Sequence, residues 1–285
     1  RLLVLLRQGV ERRLLSDVPI GFFLSGGIDS SLSTVLAAEL SPSKIKSFTL
    51  TYSRESTTEG KEEDRRWARW VADRYGTEHH EETIQVSSFP ENLRRILSCF
   101  DEPYAGVVST YFLAQLMSQH VKVALSGDGA DELFGSYLSH RLAFPLANFQ
   151  TYLRTGNPAL IRPFDQQVDF LARMAEPEDW GWRYKLLVFS DEEKDALYTE
   201  ELAARMRSYS TRDRLRRDFS ELSARDPLNR ILESEFRTIF PDQVLAFVDR
   251  LSMAHSLEVR TAFLDTDFVT FVSGLPGALK IKDGE

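Results

Sequence analysis

Short runs rich in apolar or β-forming residues alternate with longer stretches of helical period through the first half of the chain. The runs 20–24, 46–51, 78–84 and 121–125 read as strands. Segments 30–40, 62–75, 90–100 and 110–120 carry the three-to-four-residue spacing of amphipathic helices. Strands alternating with helices favour an α/β fold, a parallel sheet with helices on both faces. After residue 145 the strand signal fades. Helical spacing covers 138–153, 165–175, 192–198, 201–208, 212–220 and 227–240, broken by Pro158, Pro163, Pro177 and Pro241. The expectation is an α/β core over residues 1–145 followed by a mainly helical part over 146–285. Residues 1–15 form an amphipathic helix, and 53–61, polar and containing Gly60, form a surface loop.

Composition narrows the picture. The 285 residues carry 42% hydrophobic content, enough for a sizeable core, and a net charge of −8 that argues against nucleic acid as a partner. Nothing reaches the length of a membrane span, and Arg7, Glu11, Arg12 and Arg13 make 1–15 a poor signal peptide. A single cysteine, Cys99, excludes an internal disulfide and suits a reducing compartment, so the expected location is cytoplasmic. Cys99 beside Phe100 reads as a buried structural thiol. Trp67 and Trp70 read as core, and Trp180 with Trp182 as a packing corner. Arg65, Arg66 and Arg69 share a helix with Glu62, Glu63 and Asp64, which reads as a solvated, ion-paired face. His79 and His80, adjacent on a strand, would point to opposite faces and make a poor metal site. His255 reads as a helix-face histidine. No Gly-x-Ser-x-Gly elbow supports a hydrolase triad.

Two loops concentrate the chemistry. The run 20–24 ends in Ser25-Gly26-Gly27-Ile28-Asp29-Ser30-Ser31 and then a helix. Glycines there let backbone N–H groups turn toward a phosphate, and the helix start adds its positive dipole end. Ser25, Ser30 and Ser31 can donate further bonds. Asp29 would repel a bare phosphate, which suggests a bridging Mg²⁺. A Gly-Gly turn with an Asp or Ser helix cap is the plainer alternative. There is no Walker lysine motif. The second loop, Ser126-Gly127-Asp128-Gly129-Ala130-Asp131-Glu132, also follows a strand. Ligands of open parallel sheets sit beyond the carboxyl ends of strands, so both loops can face one crevice, with Asp29 and Asp131 sharing Mg²⁺ on a polyphosphate.

The first loop resembles the pyrophosphate loop (PP-loop) of ATP pyrophosphatases. Together with 126–137 it resembles the synthetase domain of glutamine-dependent asparagine synthetases. A third block supports the likeness: Asp249-Arg250-Leu251-Ser252-Met253-Ala254, then Glu258-Val259-Arg260-Thr261-Ala262-Phe263-Leu264-Asp265. Asp17-Val18-Pro19-Ile20-Gly21 and Asp101-Glu102-Pro103 also look familial. The resemblance spans the chain and is weakest over 149–223. Ser136 stands where the family usually has a second glycine, Ala262 where it has proline, and Asp128 where some members have glutamate. These departures bear on the acceptor substrate more than on the phosphate chemistry.

The resemblance implies a PP-loop fold of the adenine nucleotide alpha hydrolase type, with ATP as substrate and Mg²⁺ as its ion. Phe23 and Leu24 would floor the nucleotide pocket and Leu50 would meet adenine through its backbone. Ser25, Gly26, Gly27, Asp29, Ser30 and Ser31 would cradle the phosphates. Ser126 and Gly127 would contact the ribose and α-phosphate region. Asp29 and Asp131 would hold the metal, and Asp128, Asp131 and Glu132 would be the catalytic acids, Asp128 or Glu132 near the acceptor carboxylate. Aspartate would be activated as a β-aspartyl adenylate and ammonia would complete the amide. The family's N-terminal glutaminase domain is not seen here, nor is its phosphate-contacting lysine just past a segment like 279–284, nor an initiator Met. The expectation is a fragment that turns over poorly, fed by free ammonia or a missing module; the likeness also admits a homodimer. Related readings are a β-lactam synthetase-like enzyme, a peptide cyclase, or a non-catalytic nucleotide-binding module. A tRNA sulfur-transfer enzyme ranks low, because its usual cysteines are missing.

Overall fold

The structure, a computed structural model, describes residues 1–52, 61–84, 89–102, 104 and 106–282, without the side chain of Lys61. The expected loop at 53–60, Pro103 and the end of the chain at 283–285 lie outside the described residues. The chain divides into two compact units, Arg1–Ala130 with Ile239–Gly274, and Asp131–Thr238 with Leu275–Glu285. The two units divide at 130/131, and residues 239–274 belong to the first.

The first unit is built on a five-stranded sheet in the order β3-β2-β1-β4-β5. Its strands are β1 (Ile20–Phe23), β2 (Lys46–Tyr52), β3 (Glu78–Ile84), β4 (Val123–Ser126) and β5 (Glu258–Thr261). Every pairing is parallel, from Phe23↔Phe48 between β1 and β2 to Ser126↔Thr261 between β4 and β5. The four residues of β4 are all buried, as expected of a strand covered on both faces. The edges are charged: β3 carries Glu78, Glu81 and Glu82, and β5 carries Glu258 and Arg260. β5 was not anticipated, because Glu258-Val259-Arg260-Thr261 is short and half polar. Its pairing with β4 is what draws 239–274 into this unit.

Helices α1 (Leu2–Arg13), α2 (Ile28–Leu40), α3 (Lys61–Tyr75), α4 (Phe89–Leu97) and α5 (Ser109–Met117) accompany the strands, joined by Ala246–Met253 and Thr266–Ser273 from the returning segment. Side-chain alternation sorts the sheet's two faces. Phe23, Phe48, Ala124 and Val259 share one face and pack with Leu113, Ala114, Leu116 and Met117 of α5. Past the end of β1, Leu24 packs with Ala68, Val71 and Ala72 of α3 and with Val35 of α2. Those small α3 residues define its buried face. Trp67 and Trp70, expected in the core, lie on the other side at 43% and 53% exposure, edge to face with each other at 6.0 Å. Arg65 and Arg69 reach Glu81 of β3, while Arg66 pairs with Glu63 on its own helix. Cys99 is half-buried rather than buried, its thiol donating to the Arg95 carbonyl at 3.2 Å. His79 meets Ser47 Oγ at 2.9 Å through Nδ1, but its Nε2 is buried without a hydrogen bond, 3.3 Å from Glu81 Oε1, so the expected satisfied strand histidine is satisfied at one nitrogen.

The second unit begins with α6 (Ala130–Phe134), apart from its first residue, and α7 (Leu138–Thr155). Leu142, Leu146 and Phe149 of α7 and Leu228, Ile231 and Leu232 of helix Pro227–Arg237 repeat at helical spacing and meet in one core. Trp180 and Trp182 are buried there, the packing corner the sequence suggested. The helix expected over 227–240 stops at Arg237 and gives way to a π-helical stretch, Phe240–Leu245, that contains Pro241. Proline offers no N–H to the ordinary ladder, which favours such a break. The helix expected over 165–175 is likewise split, a 3₁₀ segment Arg162–Gln167 with Phe164 off helical angles preceding Val168–Met174.

Candidate functional site

The topology fixes where the first unit can hold a ligand. From β1 the chain builds outward to β2 and β3 on one side, then crosses to β4 and β5 on the other. The strand order therefore reverses between β1 and β4. In open parallel sheets such a reversal opens a crevice at the carboxyl ends of the two strands, the usual place for a ligand. Loop 25–31 leaves the end of β1, and loop 126–129 leaves the end of β4.

The first loop is shaped by close contacts. Gly26 adopts φ +88°, and a Cβ there would lie 2.0 Å from the Asp64 carbonyl oxygen of α3, so only glycine fits. Leu24 N–H donates to the Phe48 carbonyl at 2.9 Å, and Thr49 Oγ1 donates to the Leu24 carbonyl. Ser30 Oγ accepts from Ser25 N–H at 3.1 Å and bonds Ser25 Oγ at 2.9 Å. Ser25 Oγ accepts in turn from Gly27 N–H at 3.3 Å. Gly27 is the N-cap of α2, and no side chain caps that helix among the described residues. Its first-turn N–H groups and dipole end therefore face the loop, with Asp29 the acid in that turn. Ser31 Oγ is buried with no hydrogen-bond partner, an uncommon condition that a ligand oxygen would relieve.

The second loop lies against the first. A Cβ on Gly127 would come 2.9 Å from the Ser30 nitrogen and 3.2 Å from both the carbonyl carbon and the Cβ of Asp29. Ser126, 2% exposed, donates through Oγ to Asp128 Oδ2 at 2.6 Å. The Asp128 carbonyl accepts from Thr261 Oγ1 of β5 at 2.5 Å. The structure thus gathers Ser25, Gly26, Gly27, Asp29, Ser30, Ser31, Ser126, Gly127 and Asp128 around the ends of β1 and β4. Thr261 was not singled out as a site residue. Its signal was its place in the third block, which the β4–β5 pairing brings beside the second loop.

Phe23 and Leu24, expected to floor the nucleotide pocket, and Leu50, expected to meet adenine through its backbone, all pack their side chains into the core. Leu24, at 1% exposure, is a core residue among α3 side chains and cannot floor a cleft with its own side chain. Phe23 packs toward α5, and Leu50 packs against Ile96, Tyr111, Phe112 and Leu251.

Asp131 and Glu132 open α6 and belong to the second unit. Glu132 is 3% exposed, and its Oε1 accepts from Tyr137 Oη at 2.8 Å. Burial, reinforced by that carboxylate, pushes the Tyr137 phenol far above its ordinary pKa. Among the described residues no group of three or more His, Cys, Asp or Glu side chains is gathered as a metal-binding set.

The rest of the third block is structural. Arg260 donates to the Arg13 and Leu15 carbonyls at 3.0 and 2.7 Å, satisfying the C-terminal end of α1. Asp265, 2% exposed, accepts from Arg12 at 2.9 Å and Arg13 at 2.7 Å. Burial raises its pKa, but the two guanidinium groups outweigh it and hold the carboxyl below its ordinary range. Arg250 ties helix Ala246–Met253 to Asp101 at 3.0 Å. His255 sits edge-on to Tyr111, ring centroids 4.4 Å apart, and its burial lowers its pKa.

The chain is similar to known proteins. The family described as asparagine synthase matches residues 1–285. Asparagine synthetase (glutamine-hydrolyzing) 1 of Bacillus subtilis strain 168 is 31% identical over 286 residues, covering 97% of this chain and 44% of the relative. A putative asparagine synthetase (glutamine-hydrolyzing) of Mycobacterium tuberculosis strain H37Rv is 30% identical over 295 residues, 97% of this chain and 42% of the relative. A third relative, asparagine synthetase (glutamine-hydrolyzing) 3 of Bacillus subtilis strain 168, is 28% identical and is covered to 42%. The chain spans less than half the length of these relatives. Matched over its whole described sheet and both phosphate-type loops, the chain belongs to the asparagine synthase family.

Proposed function

We propose that this chain performs the ATP-dependent step of asparagine formation. Aspartate, ATP and ammonia become asparagine, AMP and diphosphate by way of a β-aspartyl adenylate. The side-chain carboxylate of aspartate attacks the α-phosphorus and diphosphate leaves. Ammonia then attacks the acyl carbon, AMP leaves, and the nitrogen loses a proton. Activation is needed because a carboxylate at neutral pH is a poor electrophile, whereas an acyl adenylate carries a good leaving group. The observation that carries the reading is the seating of Gly127 on Ser30 at the reversal of strand order, beside the uncapped start of α2.

In this reading the N–H groups of Gly26, Gly27 and the first turn of α2 receive the β- and γ-phosphates, helped by Ser25, Ser30 and Ser31. Ser126 and Gly127 position the ribose and α-phosphate. Asp128 and Glu132 orient the acceptor. Asp29 and Asp131 are the candidates for Mg²⁺, since each offers the hard carboxylate oxygens this ion prefers. Bound there, the ion would neutralise charge on the phosphates. The protein's own contribution is position and electrostatics, fixed before the reaction starts. Ammonia would come from glutamine through another part of the whole protein, an idea supported by the glutamine-hydrolyzing names of the relatives.

ATP–diphosphate exchange dependent on aspartate tests the proposal, followed by assay of AMP and asparagine in equal amounts when ammonium is added. Exchange with a different carboxylate and none with aspartate would move the chain to another amide-forming enzyme. Nucleotide binding with no release of diphosphate would leave only a binding module.

A further inference from the structure

The second unit contains a buried polar cluster that the proposed chemistry does not use. Glu235, 4% exposed, accepts from Ser139 Oγ at 2.8 Å and pairs with Arg183 at 2.6 Å. His140, 1% exposed, meets the other Glu235 oxygen through Nε2 at 2.8 Å. Its Nδ1 accepts from the backbone N–H groups of Ser136 and Tyr137 at 3.0 and 3.2 Å. Two N–H groups aimed at Nδ1 place the ring proton on Nε2, where it donates to Glu235. Burial raises the Glu235 pKa, but the His140 donor and the Arg183 charge outweigh it and keep the carboxyl below its ordinary range.

Such a cluster adds little stability over apolar packing of the same volume, because each charge must first be stripped of water. What it does supply is direction. Both bonds of His140 Nδ1 end on the turn 135–137, where Gly135 takes φ +90° and closes onto the Asp131 carbonyl at 2.8 Å. The Tyr137 ring rests on the His140 ring, centroids 5.0 Å apart. From that seat the Tyr137 hydroxyl reaches Glu132 Oε1 at 2.8 Å.

We propose that Tyr137 is a positioning residue for Glu132, and that the His140–Glu235–Arg183 cluster holds Tyr137 at its post. Resting on the reading of Glu132 as an acceptor-orienting acid, the pair sets how the acceptor amino acid is held and leaves nucleotide binding to the first unit's loops. A hydroxyl that donates to a buried carboxylate fixes its rotamer. Without the hydroxyl, Glu132 loses the bond that aims its Oε1.

The test is ATP–diphosphate exchange by the full chain, with aspartate and ATP varied in turn. Tyr137→Phe is expected to raise the KM for aspartate about tenfold, the usual effect of losing one hydrogen bond to a charged group. The KM for ATP should stay at its wild-type value, and the melting temperature should fall by no more than a few degrees, the cost of one lost hydrogen bond. Glu235→Gln is expected to move the aspartate KM the same way and to speed amide hydrogen exchange at Ser136 and Tyr137. Identical aspartate KM values in wild type and Tyr137→Phe overturn the inference while leaving the ligase reading intact. A Tyr137→Phe protein that loses rate and melting temperature together, at unchanged KM, has lost packing and also overturns it. No aspartate-dependent exchange in the wild type overturns the ligase reading, and the inference with it.

Discussion

Gly127→Ala is the sharpest perturbation the structure offers. The added methyl would meet the Ser30 nitrogen at 2.9 Å and two Asp29 carbons at 3.2 Å. Ordinary contacts of this kind sit near 3.5 Å, so the loops must part by about half an ångström. The closest atom is main chain at the start of α2, so no rotamer change relieves it. Overpacking of this sort costs about 1–3 kcal/mol. In a protein of this size that lowers the melting temperature by roughly 2–8 °C. The effect on chemistry should be larger than stability alone implies. A misplacement of about 1 Å can cost on the order of a hundredfold in rate, so half of that should cost at least about tenfold. The assay is ATP–diphosphate exchange at saturating aspartate, with Gly274→Ala as control. There a Cβ meets only the Phe271 and Thr270 carbonyls at 3.6 and 3.8 Å, ordinary contact distances. The control should match wild type, and Gly127→Ala should lose exchange while remaining folded at 25 °C. Undiminished exchange in Gly127→Ala would refute the reasoning that the contact of these two loops builds the nucleotide site.

Other outcomes follow from named groups. Asp29→Ala should abolish Mg²⁺-dependent diphosphate release and leave the circular dichroism spectrum unchanged; retained release would remove Asp29 from the metal. Asp265→Asn should destabilise the first unit by about 2–3 kcal/mol at pH 7, since Arg12 and Arg13 lose their shared carboxylate. The wild-type carboxyl has its pKa depressed by folding, so its contribution is complete above the unfolded value near about 4 and fades as pH falls through the folded one. The gap between variant and wild type in urea denaturation should therefore narrow below about pH 4. Lys280 behaves oppositely: burial, partly countered by Asp226, pulls its ammonium down to about 8. Its burial penalty is complete below that value and is relieved as pH rises toward the unfolded value near about 10.4. Lys280→Met should then stabilise by about 1 kcal/mol at pH 7, allowing for partial contact with solvent, and by nothing near pH 10.5.

Much of the sheet was legible because its strands are locally distinct. The run 78–84 was bounded correctly as β3, and α2, α3 and α7 lie within a few residues of their expected limits. The misses share a cause. β5 is four residues long and carries Glu258 and Arg260, so nothing local separates it from a turn; its strand character comes from lying beside β4. Trp67 and Trp70 show the same limit on a helix. Periodicity says that α3 has two faces, but not which one meets the sheet. The structure turns Ala68 and Ala72 inward, because the chain must pass close enough for Gly26 to touch the Asp64 carbonyl.

The site divides along the same line. Loops 25–31 and 126–132 were readable because glycine, hydroxyl and acid crowd within a few consecutive positions, a density that ordinary turns do not need. Thr261 and Glu235 were not, because they act at a distance. Thr261 reaches the Asp128 carbonyl across 133 residues, and Glu235 reaches Ser139 across 96. The first of these depends on register. Ser126 pairs with Thr261, and a slip of one residue between β4 and β5 would send the Thr261 hydroxyl to the opposite face of the sheet. The Asp128 carbonyl would then lose its donor, and the second loop would lose its anchor on that side. Ser126 and Asp128 could still bond each other, since both lie within the loop. Placement of the loop against α2, on which the proposed chemistry depends, would then lean on the seat of Gly127 without the Thr261 anchor.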